Sequence, residues 1–81
     1  MTKRERLEVT GRAIANRLRH RNLTGARLDR AIEEVADDAT TRGLRGSELV
    51  WEQTLVEIQD TNLHDWQTVV RAAKRSLRSA P

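Results

Sequence analysis

Cysteine, phenylalanine and tyrosine are all missing from this chain of 81 residues, whose only large aromatics are Trp51 and Trp66. Without cysteine there is no disulfide, no thiolate nucleophile and no Cys-type zinc site, a composition that suits a reducing compartment. No apolar run reaches the length that spans a bilayer, and no secretory apolar region is recognisable, so a cytoplasmic protein without membrane contact is expected. Asn22-Leu23-Thr24 fits a glycosylation sequon, which carries no meaning without an export signal.

The signatures of catalysis are missing as well. There is no Gly-rich phosphate loop, nucleophile elbow or His-Glu-x-x-His pair, and the only histidines are His20 and His64. Neither an enzyme nor a bound cofactor or metal is expected. Asp29, Glu33 and Asp37 do recur every four residues, which could hold a cation or share a proton. With no histidine beside them, they read as a solvated face or as ion-pair partners.

What is present is helical periodicity. The stretch Leu23 to Leu44 carries start, period and stop signals for one helix. Thr24 is placed to cap, Leu23 and Leu28 have the spacing of a hydrophobic staple, and Gly43-Leu44 has the composition of a left-handed C-cap. Between them Leu28, Ala31, Ile32, Val35, Ala36 and Ala39 follow one narrow apolar face.

The same reasoning divides the whole chain into an all-α bundle of four short helices at about 3–21, 25–42, 48–60 and 63–77, one helical domain over residues 1–81. Thr2 and Glu5 have capping-box spacing at the start of the first helix. Its stripe of Leu7, Ile14, Ala15 and Leu18 includes Gly11, which in a helix costs about 1 kcal/mol against alanine and is explained by a close helix crossing. Ser47 is the expected cap of the third helix, and Thr61 or Asn62 of the fourth. The third helix has the widest apolar arc, which predicts a central position, with Glu52 at the rim or against an arginine. An arc too wide for four short helices to cover also makes a homodimer an expectation.

The net charge of +3 conceals a pattern. Residues 1–23 carry net +5, residues 24–46 net −1, residues 47–62 net −4 and residues 63–81 net +3, so basic ends flank an acidic middle. All basic side chains except Lys3 and Lys74 are arginine, suited to bidentate contacts with carboxylate or phosphate. On the first helix Arg6, Arg17 and Arg21 border the apolar stripe on one side, and Arg12 and Arg19 on the other. The last helix concentrates His64, Gln67, Arg71, Lys74, Arg75 and Arg78 on one flank.

A helix-turn-helix spacing can be drawn through Ala39, Gly43, Leu44 and Leu49. Its would-be recognition helix, however, carries Glu48, Glu52, Glu57 and Asp60 and no basic residue, which phosphates would repel. The first and last helices are the better nucleic-acid candidates, as neighbours in an up-down-up-down bundle. The expected function is therefore a non-enzymatic helical module binding nucleic acid through Arg12, Arg19, Arg71, Lys74, Arg75 and Arg78. The alternative is a protein-interaction module that docks an acidic protein surface: an adaptor, inhibitor or assembly component, for instance of a phage or mobile element.

Overall fold

The capping box expected at Thr2 and Glu5 forms in both directions. Thr2 Oγ1 accepts from the Glu5 amide at 3.2 Å, and Glu5 Oε1 accepts from the Thr2 amide at 3.2 Å. It opens α1, Lys3–Leu18, and the chain continues into α2, Gly25–Gly43, α3, Val50–Ile58, and α4, Leu63–Ser79. The computed structural model of the chain describes residues 1–43, 49–58 and 62–79 and contains no strand among them. The all-α class and the number of helices are as the periodicity predicts; α3 begins at Val50 rather than near 48, and α4 runs to Ser79 rather than 77. The Cα radius of gyration, 11.8 Å, is what a closely packed chain of this length has.

Local chemistry sets the helix ends. The Arg21 amide bonds back to the Leu18 carbonyl at 3.1 Å, and Asn22 then takes a φ of 49°, so α1 stops at Leu18 rather than at Arg21. α2 begins where expected, but by a different device. Gly25 has a φ of 57° with nothing near its missing Cβ, and no bond from the Thr24 hydroxyl is recorded among the described residues. Leu23 and Leu28, the expected staple pair, are both partly buried against the core. Gly25→Ala is therefore expected to cost about 1–2 kcal/mol through left-handed strain alone, a fall of several degrees in Tm, read by thermal denaturation.

At the start of α4 it is Asn62 that caps. Its Oδ1 accepts from the Asp65 amide at 3.1 Å and its Nδ2 donates to Asp65 Oδ2 at 2.8 Å. The expected cap at Ser47, and Leu44 of the expected C-cap, lie outside the described residues.

Two sets of contacts fix the helix directions. Lys3 Nζ lies 2.9 Å from Asp65 Oδ2 in the first turn of α4, and Gly11 lies against Val69, Ala72 and Ala73 further along it. Both partners advance together, so α1 and α4 run parallel. Arg6 donates to Glu57 Oε2 at 2.6 Å near the end of α3, whereas Arg17 stands 5.3 Å from the Trp51 ring centroid near its start, so α3 runs antiparallel to α1. The up-down-up-down arrangement expected from the sequence would make α1 and α4 antiparallel. Instead α2 crosses the C-terminal end of α1, where its Glu34, Val35 and Asp38 share a groove with Arg17, Leu18 and Arg21.

Each helix touches the other three; α3, expected to be central, buries Trp51, Glu52, Thr54, Leu55 and Ile58, but the most extensive contact in the bundle is that of α1 with α4. The reason is the size of the α1 side chains. Thr10, Gly11 and Ala15 are buried and small, so α4 can come close, while α3 has only nine helical residues with which to reach its neighbours. The rest of the core is Leu7, Ile14, Leu18, Ile32, Leu55 and Val69 with Trp51 at one side. The buried hydroxyls of Thr10, Thr40 and Thr54 donate to the carbonyls of Arg6, Ala36 and Val50, which removes the cost of unpaired polar groups. The wide arc of α3 is largely covered inside the bundle, since Trp51, Leu55 and Ile58 are buried and Leu49 and Val50 remain exposed.

Candidate nucleic-acid interface

The arginines of α1 divide into two groups that do different things. Arg6 and Arg17 lie on the flank facing α3, where one is paired with Glu57 and the other covers Trp51. Arg12 and Arg19 lie on the opposite flank and are exposed. At about 100° per residue, they sit roughly 40–60° beyond Ala15, on the solvent side of the α1–α4 seam. Arg19 Nε donates to Asn16 Oδ1 at 2.9 Å, which holds its stem along the helix.

On α4, His64, Gln67, Arg71, Arg75 and Arg78 are all exposed and fall within about 80° of arc, opposite the buried Val69, Ala72 and Ala73. Arg71 donates to Thr68 Oγ1 at 3.3 Å, and Arg75 also has an intramolecular partner. Lys74 leaves this row. Its Nζ is 2.5 Å from Asp29 Oδ1, so the side chain turns toward α2 and ties the two helices. Asp29 is thus an ion-pair partner, as its spacing suggested, and no cluster that could hold a metal ion occurs among the described residues.

Because α1 and α4 are parallel with Gly11 beside Ala72, the two arginine rows are in step. Arg12 lies at a level between Arg71 and Arg75, and Arg19 lies just past Arg78. Each row is about 10 Å long at 1.5 Å per residue. Arg4, near the start of α1, is also exposed, but it falls at the angle of Gly11 and Ala15, about 60–80° from Arg12 and Arg19. It is paired at 3.7 Å with Glu8, the acidic residue at that end of the face. Of the six residues singled out from the sequence, Arg12, Arg19, Arg71, Arg75 and Arg78 are exposed, and Lys74 is half-buried and paired with Asp29.

The turn of the helix-turn-helix spacing, with Leu44, lies outside the described residues. Leu49, which would have to pack inward, is 51% exposed, and Glu57 is held by Arg6. Glu52 is 6% exposed, and among the described residues no arginine pairs with it. α3 is a short acidic wedge against α1 and α2.

The groove between α1 and α2, about 470 Å³ in volume, sets two arginines opposite two carboxylates. No nucleophile or histidine lines it. What the described residues define is an all-α bundle with exposed arginines on α1 and α4. Comparison of the chain with protein-family models, with curated proteins and with solved structures finds no match.

Proposed function

We propose that this protein is a non-enzymatic cytoplasmic module that associates with nucleic acid through the exposed face of α1 and α4. The observation that carries this reading is the pair of in-step arginine rows. Arg12, Arg19, Arg71, Arg75 and Arg78 are exposed on α1 and α4, whereas Arg6, Arg17 and Lys74 reach a neighbouring helix at Glu57, Trp51 and Asp29. Guanidinium groups match phosphate oxygens in a bidentate geometry, and a row of them can follow a backbone without reading its sequence.

A titration of labelled nucleic acid over a series of salt concentrations tests the reading. Five phosphate contacts predict a straight line of log K against log salt with a slope of roughly −4 to −5. Absence of binding at about 50 mM salt removes the nucleic-acid function. It favours the protein-interaction alternative, in which the same cations meet an acidic protein surface. A homodimer through the exposed Leu49 and Val50 belongs to that second reading.

A further inference from the structure

We infer that Asn16 and Thr68 are positioning residues for nucleic-acid binding, each holding the guanidinium of the arginine three residues on, Arg19 and Arg71, in place and fully charged before a phosphate arrives. The inference rests on the nucleic-acid reading above and adds two side chains that this reading leaves out.

The partners of these two arginines set them apart. Arg4, Arg6 and Lys74 pair with the carboxylates of Glu8, Glu57 and Asp29, which offset their charge. Arg19 Nε instead donates to Asn16 Oδ1 at 2.9 Å, and Arg71 Nη2 donates to Thr68 Oγ1 at 3.3 Å, and both acceptors are neutral. A neutral acceptor restrains the side chain and leaves its charge intact. Of the five N–H donors of each guanidinium one is used in this way, so the others remain for phosphate oxygens.

The device is the same on both helices. Residues three apart lie on one side of a helix, so a short polar side chain meets a long one from the next turn without any tertiary contact. Thr68 is itself fixed, because its hydroxyl donates to the His64 carbonyl at 3.1 Å and keeps its lone pairs for Arg71. At Asn16 only the carbonyl oxygen can accept from Nε, which decides how the amide is turned. Asn16 is exposed and Thr68 half-buried, so neither is a core residue. An unrestrained arginine gives up rotamer freedom when a phosphate fixes it, and one already held gives up less.

Binding of a short labelled duplex DNA, followed by fluorescence anisotropy across a salt series, tests this. Asn16→Ala and Thr68→Val are each expected to weaken binding about threefold without lowering Tm, and to leave the slope of log K against log salt unchanged because no phosphate contact is lost. Thr68→Ser, which keeps the hydroxyl, is expected to recover the affinity lost in Thr68→Val. Asn16→Asp still holds Arg19 but offsets its charge, so it should weaken binding more than alanine does and flatten the slope by about one phosphate equivalent. A double-mutant cycle decides whether the two residues act through their arginines. In an Arg19→Gln background Asn16→Ala should have no further effect, and the same holds for Thr68→Val in an Arg71→Gln background. Effects that persist in those backgrounds, or alanine and valine variants that bind like the parent, overturn the inference and leave the nucleic-acid reading standing. A parent protein that does not bind the duplex at low salt ends both.

Discussion

Replacing Gly11 by valine is expected to cost about 3 kcal/mol and to lower Tm by more than 10 °C. A Cβ at this position would lie 2.6 Å from the Ala72 Cβ, 2.7 Å from the Val69 carbonyl oxygen and 2.9 Å from the Ala73 amide nitrogen. The last two atoms are the acceptor and donor of one helical hydrogen bond of α4, so no rotamer change can relieve the clash. Either α4 moves away from α1, loosening the contact that includes Ile14, Ala15 and Val69, or the bond is distorted.

Overpacking of a tight contact costs about 1–3 kcal/mol, and valine adds two methyl groups beyond the first offending atom. For alanine the clash is smaller and is offset by roughly 1 kcal/mol of helix propensity, so Gly11→Ala is the milder variant. Against a total stability of about 4–12 kcal/mol for a chain of this length, the valine variant removes a quarter or more. Urea and thermal melts followed by far-ultraviolet circular dichroism measure it. A Gly11→Val protein that melts within a few degrees of the parent would show that the two helices do not meet here.

That contact was legible before any coordinates, because a glycine in the stripe of Leu7, Ile14 and Leu18 has no reason to be there unless something comes close. The capping box at Thr2 and Glu5 was legible for the same kind of reason: it is local, and its partners are three residues apart. What a helical period does not contain is the identity and direction of the neighbour. It puts Lys74 beside Arg71 and Arg75, and only the position of Asp29 on another helix draws it away. It ranks α3 as most apolar, yet the most extensive contact forms where the side chains of α1 are small. The parallel course of α1 and α4 depends on how α2 crosses, which no pattern within either helix records. Thr24 had the right residue type for a cap, and the positive φ of the next residue took its place.

The same separation of local from tertiary roles gives the second large effect, on binding. Arg71→Glu with Arg78→Glu is expected to weaken nucleic-acid binding at low salt by at least about 100-fold and to leave Tm nearly unchanged. Both side chains are exposed, and Arg71 donates only to the partly exposed Thr68 hydroxyl. With five phosphate contacts, raising salt from about 50 to 200 mM reduces affinity roughly 500-fold; with three left, the reduction is roughly 40-fold. The variant should therefore lose affinity and salt sensitivity together, equally on unrelated sequences. Lys74→Glu with Arg30→Glu is the control that separates the arginine rows from net charge, because it changes the charge by the same four units away from the rows. Lys74 is engaged with Asp29 and Arg30 is exposed on α2, so this variant should change the salt slope by less than one phosphate equivalent. If it flattened the slope as much as the double arginine variant, binding would follow overall charge, and the arginines of α1 and α4 would have no special part in it.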